Sequence, residues 1–273
     1  MKQVLGTVAS NMEVMPGVYV IWIESPDIAV AAQPGQFITA RCGDFTLRRP
    51  LSIHQVSSQE IALLFKVTGK GTLWLSQTKK GDRLDILGPL GKGFTIEPKA
   101  RNLLLVAGGI GIAPIAFLMQ RASPQHQITL IHGASTAAQL YTERCQLTAI
   151  SHQRVKYVPI TEDGSLGRKG KATDILPDFL DWADQVYACG PADMYKAMAL
   201  TLSASPLKGE EKTIVGEGLV PSHNLKLKKC QVSLEVRMGC GFGACYSCTI
   251  NTKKGLKRVC RDGPVFELDD IIW

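Results

Sequence analysis

Four of the eight cysteines of this 273-residue chain lie close together, with the spacing C-x4-C-x2-C-x11-C. They are Cys240, Cys245, Cys248 and Cys260. Thiolates at this spacing can enclose a compact metal centre, and the order is that of plant-type [2Fe–2S] sites. Three interspersed glycines favour this interpretation, because a chain that wraps a cluster needs unusual backbone angles and close approach. We therefore predict that these four cysteines ligate one [2Fe–2S] cluster.

Two other uses of the cysteines are open. A structural zinc site takes the same four thiolates, although zinc ligands more often come as two C-x2-C pairs and this stretch has one. Disulfides are disfavoured, since the N-terminus shows no signal-peptide pattern and we expect a reducing, cytoplasmic location. The remaining cysteines are expected to be dispensable for the cluster: Cys42, Cys145, Cys189 and Cys230.

Two motifs in the first hundred residues could hold an anion. The sequence Arg49-Pro50-Leu51-Ser52 places a cation and a hydroxyl three residues apart in an extended segment, and an arginine fork suits a phosphate. The sequence Gly69-Lys70-Gly71-Thr72 opens a short helix, whose first backbone N–H groups can bind an anion. Either motif alone is common in surface turns and capped helices. Together they are interpreted as two ends of a dinucleotide site.

Two turns in the middle of the chain follow apolar strands. They are Gly108-Gly109-Ile110-Gly111-Ile112-Ala113-Pro114 and Cys189-Gly190-Pro191. Ligands of parallel α/β sheets bind at the carboxyl ends of strands, where both turns would lie. The first turn departs from the Rossmann fingerprint, because Pro114 stands at the third glycine position. By itself it is either a structural turn or a phosphate site, and Cys189 is either a buried strand-end residue or a neighbour of the ligand.

The elements that must position these motifs change character near residue 99. Residues 1–98 contain many short strands separated by turns and one helix candidate, Thr72–Gln77, which is typical of a small antiparallel barrel. Residues 99–207 alternate apolar strands with helices at Ile115–Arg121 and Ala192–Leu202, which predicts a doubly wound parallel α/β domain. The expected strands of that domain are Asn102–Ala107, Gln127–His132, Val155–Ile160 and Gln185–Cys189. Residues 208–273 would form a third region around the cysteines.

The composition excludes some classes of function. The chain is 45% hydrophobic and 20% charged, as ordinary globular proteins are. Its net charge of +7 is scattered, so we expect no nucleic-acid partner. The uncharged run at 102–119 contains glycines and a proline and predicts a strand, turn and helix, not a membrane span. Two short basic clusters flank the cysteines and form either a solvated surface or a docking face for a protein: Lys226, Lys228, Lys229 and Lys253, Lys254, Lys257, Arg258.

The two anion-binding motifs of the barrel resemble the flavin signatures of the ferredoxin–NADP reductase superfamily. The resemblance implies that FAD contacts Arg49, Pro50, Leu51, Ser52, Leu64, Phe65, Lys66, Gly71 and Thr72. Leu51 departs from the plant-reductase pattern, in which an aromatic residue often stacks on the flavin. The two later turns resemble the NAD(P) domain of the same superfamily and imply a nucleotide site at Gly108, Gly109, Gly111, Cys189, Gly190 and Pro191. Ser135, with no neighbouring arginine, favours NAD over NADP.

The order of these regions resembles the electron-transfer subunits of class 1B dihydroorotate dehydrogenases, as does the run Thr161–Asp174. The resemblance implies an N-terminal antiparallel flavin-binding barrel, a central parallel α/β nucleotide-binding domain and a C-terminal [2Fe–2S] cluster loop. It also implies an FMN-containing catalytic partner subunit, a heterotetramer of two copies of each, and a role in pyrimidine biosynthesis. Electrons would pass from that partner through the cluster and FAD to NAD+. The stretch 208–229 carries no motif of this family.

No catalytic acid or base is predicted, because hydride transfer between a nicotinamide and a flavin needs none. One alternative is the same reductase module serving a sulfide dehydrogenase, a hydrogenase or a transhydrogenase. Another is a four-cysteine zinc interaction module with a vestigial nucleotide fold. A catalytic FMN barrel would need about 250 further residues, so this chain is not expected to oxidise dihydroorotate alone.

Overall fold

Short amphipathic strands near the N-terminus close into a six-stranded antiparallel barrel with the strand order β1-β2-β5-β4-β3-β6. The strands are β1 (Lys2–Met15), β2 (Val18–Glu24), β3 (Phe37–Ala40), β4 (Arg49–Val56), β5 (Glu60–Lys66) and β6 (Arg83–Leu90). Two helices lie between them, α1 (Pro26–Ala31) and α2 (Lys70–Ser76). Ile21, Ile53 and Leu63 are fully buried inside it. This computed structural model describes residues 1–141, 154–204 and 229–273.

The second unit is a seven-stranded sheet with the order β10-β9-β8-β7-β11-β12-β15. Its strands are β7 (Asn102–Gly108), β8 (Gln127–Ala134), β9 (Val155–Thr161), β10 (Arg168–Lys169), β11 (Gln185–Cys189), β12 (Cys230–Ser233) and β15 (Val265–Glu267). All neighbours are parallel except β12 and β15. The accompanying helices are α3 (Ile112–Ala122), α4 (Pro177–Leu180) and α5 (Ala192–Ala204).

The cysteine region is inserted between the two strands at one edge of this sheet, β12 and β15. Strand β12 pairs with β11, with Val186 opposite Cys230, and β15 returns antiparallel to β12. Between these two strands lie a small hairpin and a short helix: β13 (Thr249–Thr252), β14 (Gly255–Arg258) and α6 (Val259–Asp262). The sheet and the cysteine region therefore share strands, a pairing that the sequence did not indicate.

Helix α3 joins the barrel to the sheet. Its Phe117 is fully buried among barrel residues, and burying such a ring contributes roughly 1.5–3 kcal/mol. The Gln120 side chain accepts a hydrogen bond from the Val56 backbone N–H at 3.0 Å and donates to the Val56 carbonyl at 2.8 Å. The helix begins at Ile112, earlier than the sequence indicated, because proline is tolerated in a first helical turn.

The predicted architecture of an antiparallel barrel, a parallel α/β sheet and a C-terminal cysteine loop is confirmed. Across the described ranges, no helix combines the length and the apolar character that crossing a membrane requires. Several residues of the sequence interpretation lie outside the described ranges: Cys145, Lys226, Lys228 and the stretch 208–228.

Candidate functional site

A crevice of about 310 Å³ opens where the barrel, the sheet and the cysteine region meet. Many of the residues predicted to bind FAD or NAD line it: Arg49, Pro50, Leu51, Ser52, Leu64, Phe65, Lys66, Thr72, Gly111 and Cys189. Its remaining wall includes Ser233, Leu234, Glu235, Val236 and Met238. A second cavity of about 830 Å³ adjoins it and is lined by Arg49, Pro50, Gly190 and Pro191, among others. The structure thus gathers motifs that lie far apart in the sequence.

Arg49 of the barrel motif and Arg48, the residue before it, have different partners. Arg48 is tied to the barrel by Asp85, with 2.6 Å between its Nη2 and the carboxylate. The guanidinium of Arg49 lies 5.6 Å from the centroid of the Phe45 ring and directly against Gly71. A Cβ added to Gly71 would overlap the Nε of Arg49. Strand β4 and the start of helix α2 are therefore brought together, and only Arg49 of the pair has its charge left for a phosphate.

Thr72 organises the turn that precedes α2. Its hydroxyl accepts hydrogen bonds from the backbone N–H groups of Thr68 and Gly69, at 2.9 and 3.2 Å, and donates to the Gly69 carbonyl at 3.0 Å. Since the hydroxyl is already bonded, its part in binding would be to hold the turn. The backbone N–H groups of the first helical turn, which helix geometry leaves without intrahelical partners, would meet an anion.

The two turns at the strand ends of the sheet contact each other. A Cβ at Gly111 would overlap the Cys189 carbonyl, and one at Gly108 would lie 2.9 Å from Cδ of Pro191. The Tyr195 hydroxyl accepts from the Gly190 backbone N–H at 2.9 Å and donates to the Ser233 carbonyl at 2.7 Å. This hydroxyl fixes the C-G-P turn to strand β12.

Cys189 faces the crevice as a neutral thiol. Burial raises the pKa of its thiol to about 12, although hydrogen bonds with Tyr195 and Ser233 act in the opposite direction. Its Sγ lies 3.4 Å from the Ser233 carbonyl oxygen. A thiol held protonated is not a nucleophile at neutral pH. The residue can contact a bound nicotinamide, and it has the wrong protonation state for covalent catalysis.

The cysteine loop is built from left-handed turns. Gly241 and Gly243 have φ angles of +81° and +94°, and Tyr246 has +61°, the one positive φ at a non-glycine residue among those described. These turns direct backbone N–H groups at sulfur: those of Ala244 and Cys245 lie 3.2 and 3.5 Å from Sγ of Cys240. Such N–H groups stabilise thiolates and cluster sulfurs alike.

The predicted ligands form two pairs, Cys240 with Cys245 and Cys248 with Cys260. Burial would raise the pKa of the Cys240 thiol, but hydrogen bonds from the backbone N–H groups of Cys245, Phe242 and Ala244 outweigh it and lower the pKa to about 6. Burial, together with the neighbouring Cys248 and Cys240 thiols, raises the pKa of Cys260 to about 12. As placed, no three His, Cys, Asp or Glu side chains of the described residues form a closed metal-ligand set. The donor set of four thiols with inward N–H groups fits an iron–sulfur cluster.

Comparison with known proteins identifies the family. The family model of the iron–sulfur cluster binding domain of dihydroorotate dehydrogenase B matches residues 235–272, and that of the oxidoreductase NAD-binding domain matches residues 105–199. The dihydroorotate dehydrogenase B (NAD(+)) electron transfer subunit of Desulforamulus reducens is 39% identical over 272 residues, covering 95% of this chain and 94% of that protein. The chain belongs to this family. The subunit of Geobacillus thermodenitrificans is 32% identical and covers 97% of both chains.

Solved structures agree with this assignment to the electron-transfer-subunit family. A chain from the structure of the NADH-dependent reduced ferredoxin–NADP oxidoreductase, a study of flavin-based electron bifurcation, superposes with a TM-score of 0.81 at 27% identity, covering 99% of this chain and 90% of that one. A ferredoxin–NADP+ reductase of Neisseria gonorrhoeae with bound FAD and NADP has a TM-score of 0.63 at 19% identity and covers 74% of this chain and 91% of that one. The second similarity shows the fold.

Two buried histidines of this family member were assigned no role from the sequence. Burial lowers the pKa of each to about 4, so both are neutral. His54 donates through Nδ1 to the Ala113 carbonyl at 3.1 Å, because a carbonyl can only accept, and its Nε2 lies 3.1 Å from the Tyr141 hydroxyl. His132 donates through Nε2 to the Gly109 carbonyl at 3.2 Å. Both histidines therefore bond to carbonyls of the glycine turn 108–114, a role that is visible only in the folded structure.

Proposed function

We propose that this chain carries electrons between an FMN-containing dihydroorotate dehydrogenase catalytic subunit and NAD+, through a [2Fe–2S] cluster and FAD. One observation carries the proposal. Four of the five residues of the segment 234–238 line the crevice beside residues of the FAD and NAD motifs, and one glycine separates the segment from Cys240 of the cysteine loop. A bound flavin exchanges two electrons with a nicotinamide and single electrons with a cluster. This chain needs only to bind, orient and shield the carriers.

Each region has its own part in this proposal. Residues 1–98 would hold FAD, with Arg49 on its phosphates and the backbone of Leu64, Phe65 and Lys66 beside its ring. Residues 99–207 would bind NAD at Gly108, Gly109, Gly111, Cys189, Gly190 and Pro191. Residues 208–273 would hold the cluster through Cys240, Cys245, Cys248 and Cys260. Cys189, neutral and buried, would add contact without adding charge.

The partner would dock beside the cysteine loop. Phe242 and Tyr246 are 48% and 64% exposed there, and exposed aromatic side chains are frequent in interfaces. Lys253 is exposed and Lys257 is half-buried nearby, whereas Lys254 already pairs with Asp270 at 2.6 Å. We infer that Lys253 and Lys257 contribute more to docking than Lys254, in a cytoplasmic heterotetramer of two copies of each subunit.

The test uses the purified single chain. We expect it to reduce artificial acceptors with NADH and to show no dihydroorotate-dependent reduction of NAD+. That second activity should appear when an FMN-bearing catalytic subunit is added. Turnover of dihydroorotate by the chain alone would contradict the partner assignment.

A second candidate is the same module in another redox complex. The similarity to a chain of the NADH-dependent reduced ferredoxin–NADP oxidoreductase, with a TM-score of 0.81 over nearly the whole chain, favours it. Purification of the native complex decides between the two. A partner that carries FMN and oxidises dihydroorotate supports the first candidate, and a partner without FMN supports the second.

A further inference from the structure

Arg258, the last residue of β14, reaches from the hairpin back to the cysteine loop. Its Nη1 donates to the Gly243 carbonyl at 2.8 Å, and its guanidinium carbon lies 4.7 Å from the centroid of the Tyr246 ring. Gly243 lies between Cys240 and Cys245, and Tyr246 directly follows Cys245. One side chain thus fastens both segments that separate the first three cysteines.

Arg258 contacts two positions that have a left-handed backbone conformation, and one of them is not a glycine. Gly243 and Tyr246 both have positive φ, a region that side-chain-bearing residues such as tyrosine seldom adopt and that persists only where surrounding contacts impose it. The guanidinium provides such a contact, since it bonds a carbonyl and lies over an aromatic ring, two interactions that its planar shape allows at once.

Arg258 is itself held by the Asp262 carboxylate. Its backbone N–H donates to the Asp262 carboxylate at 2.8 Å, and its Nε lies 3.8 Å from the same carboxylate. Its side chain is only 19% exposed. A continuous set of contacts therefore links Asp262, Arg258 and Gly243, which lies between the first two cysteines of the loop.

We propose that Arg258 is a positioning residue for the cluster. It holds Gly243 and Tyr246 in the conformation that presents Cys240, Cys245 and Cys248, and its half-buried cation favours the reduced cluster, which carries one more negative charge. Asp262 weakens this electrostatic effect, since its carboxylate lies 3.8 Å from Nε of Arg258. The inference rests on the proposed function, since it requires that the four cysteines bind a cluster.

Arg261 provides a matched control. It lies three residues further on, it is exposed, and it touches the same glycine: a Cβ at Gly243 would lie 2.9 Å from Cδ of Arg261. The atoms of Arg261 that lie against Gly243 are side-chain carbons and not the charged guanidinium. Arg261→Gln keeps those carbons and removes a cation from the same turn, so it separates a general loss of charge from loss of the Arg258 contacts.

The experiment compares Arg258→Gln, Arg258→Lys and Arg261→Gln with the wild-type chain, each purified with its native partner. The measurements are the rate of cluster bleaching by an iron chelator, the electron paramagnetic resonance spectrum of the reduced cluster, its midpoint potential and the FAD content. We expect Arg258→Gln to bleach at least about tenfold faster, as loss of a charge-assisted hydrogen bond implies, with an altered spectrum and a more negative potential. Arg258→Lys should restore the potential and only part of the resistance to bleaching. Arg261→Gln should match the wild type.

The proposal is overturned if Arg258→Gln and Arg261→Gln share one bleaching rate, one spectrum and one potential. If loss of FAD shows that the Arg258→Gln variant does not fold, the variant Tyr246→Leu tests the proposal instead. That variant removes the ring and keeps the cation, so we expect faster bleaching at an unchanged potential, and unchanged bleaching overturns the proposal. Wild-type protein that contains no iron contradicts the proposed function itself.

Discussion

The crevice and the cysteine loop would each hold a cofactor, and the two sites are built in different ways. The crevice is assembled from strand ends and a helix start that come from residues far apart in the chain, so the packing of the barrel and the sheet holds it. The loop is local: its turns, its N–H groups and its sulfurs come mostly from residues 239–248, with Arg258 and Cys260 as the main contacts from beyond. We therefore expect a single substitution in the crevice to weaken cofactor binding, whereas a single substitution in the loop should abolish it.

The largest effect is expected from Cys248→Ser. Cys248 is buried, and its Sγ accepts the Cys260 backbone N–H at 3.4 Å. Iron and acid-labile sulfide should fall from about two of each per chain to near zero, while FAD remains bound, as metal analysis and the visible spectrum will show. Cys42→Ala is the control: it removes a fully buried thiol of the barrel and should leave the cluster intact. Stoichiometric zinc in the wild-type chain, without visible absorbance, would refute the cluster assignment.

Arg49→Ala should have the next largest effect, and on the other region. Removing a charge-assisted phosphate contact should weaken FAD binding by roughly 1.5–3 kcal/mol, or roughly 10- to 150-fold in Kd. Iron content should not change. The measurement is flavin titration of the FAD-free protein. Lys70→Ala removes an exposed cation beside the same turn and should bind FAD as the wild type does. Equal losses in both variants would mean that general charge, and not this contact, holds the flavin.

Gly71→Ala should weaken FAD binding less than Arg49→Ala does. The added Cβ overlaps Nε of Arg49 and must push the guanidinium aside, while leaving its charge in the crevice. Gly69→Ala is a matched control two residues away, because its backbone is extended, with φ of −173°, and an added Cβ meets nothing within 4 Å. The same titration measures both variants. Equal FAD affinities of the Gly71→Ala and Gly69→Ala variants would show that Arg49 does not bind FAD from its position beside Gly71.

The smallest expected effect is a difference in thiol reactivity between two cysteines of the loop, Cys240 and Cys260. In cluster-free protein, the pKa of about 6 predicts that Cys240 is largely thiolate at pH 7, whereas Cys260, with a pKa of about 12, is protonated. Since thiolates are the reactive form, alkylation of Cys240 should rise through pH 6 and level off above it, and Cys260 should stay unreactive at neutral pH. Peptide mass spectrometry after brief labelling reads both sites. A Cys240 profile with its midpoint near pH 9 would show that the backbone N–H groups do not stabilise its thiolate.

The sequence predicted the parts of each site whose chemistry is local. Residue type alone is enough to recognise three patterns: the spacing of the cysteines, the arginine beside a proline and the glycine before Thr72. Strand periodicity likewise predicted the barrel and the parallel sheet, because alternating and continuous apolar runs correspond to half-buried and fully buried strands.

The residues that the sequence did not reveal act through tertiary contacts. No motif in the sequence includes His54 or His132, and they bond to the carbonyls of Ala113 and Gly109, which lie 59 and 23 residues away. Glu235 and Met238 line the crevice because β12 joins the sheet, a pairing that no periodicity signals. One signal was available: the run Ser233–Met238 leads without a turn residue into the cysteine loop, so it had to lie near any cofactor that exchanges electrons with the cluster.

The short segment between Met238 and Cys240 limits how far the cysteine loop can lie from the crevice. Met238 lines the crevice and Cys240 follows two residues later, so their Cα atoms can be separated by no more than about 7 Å, the reach of a fully extended chain. No movement of the barrel relative to the sheet could lengthen this covalent link. Primary structure therefore keeps the first cysteine of the loop within about 7 Å, Cα to Cα, of a residue that lines the crevice.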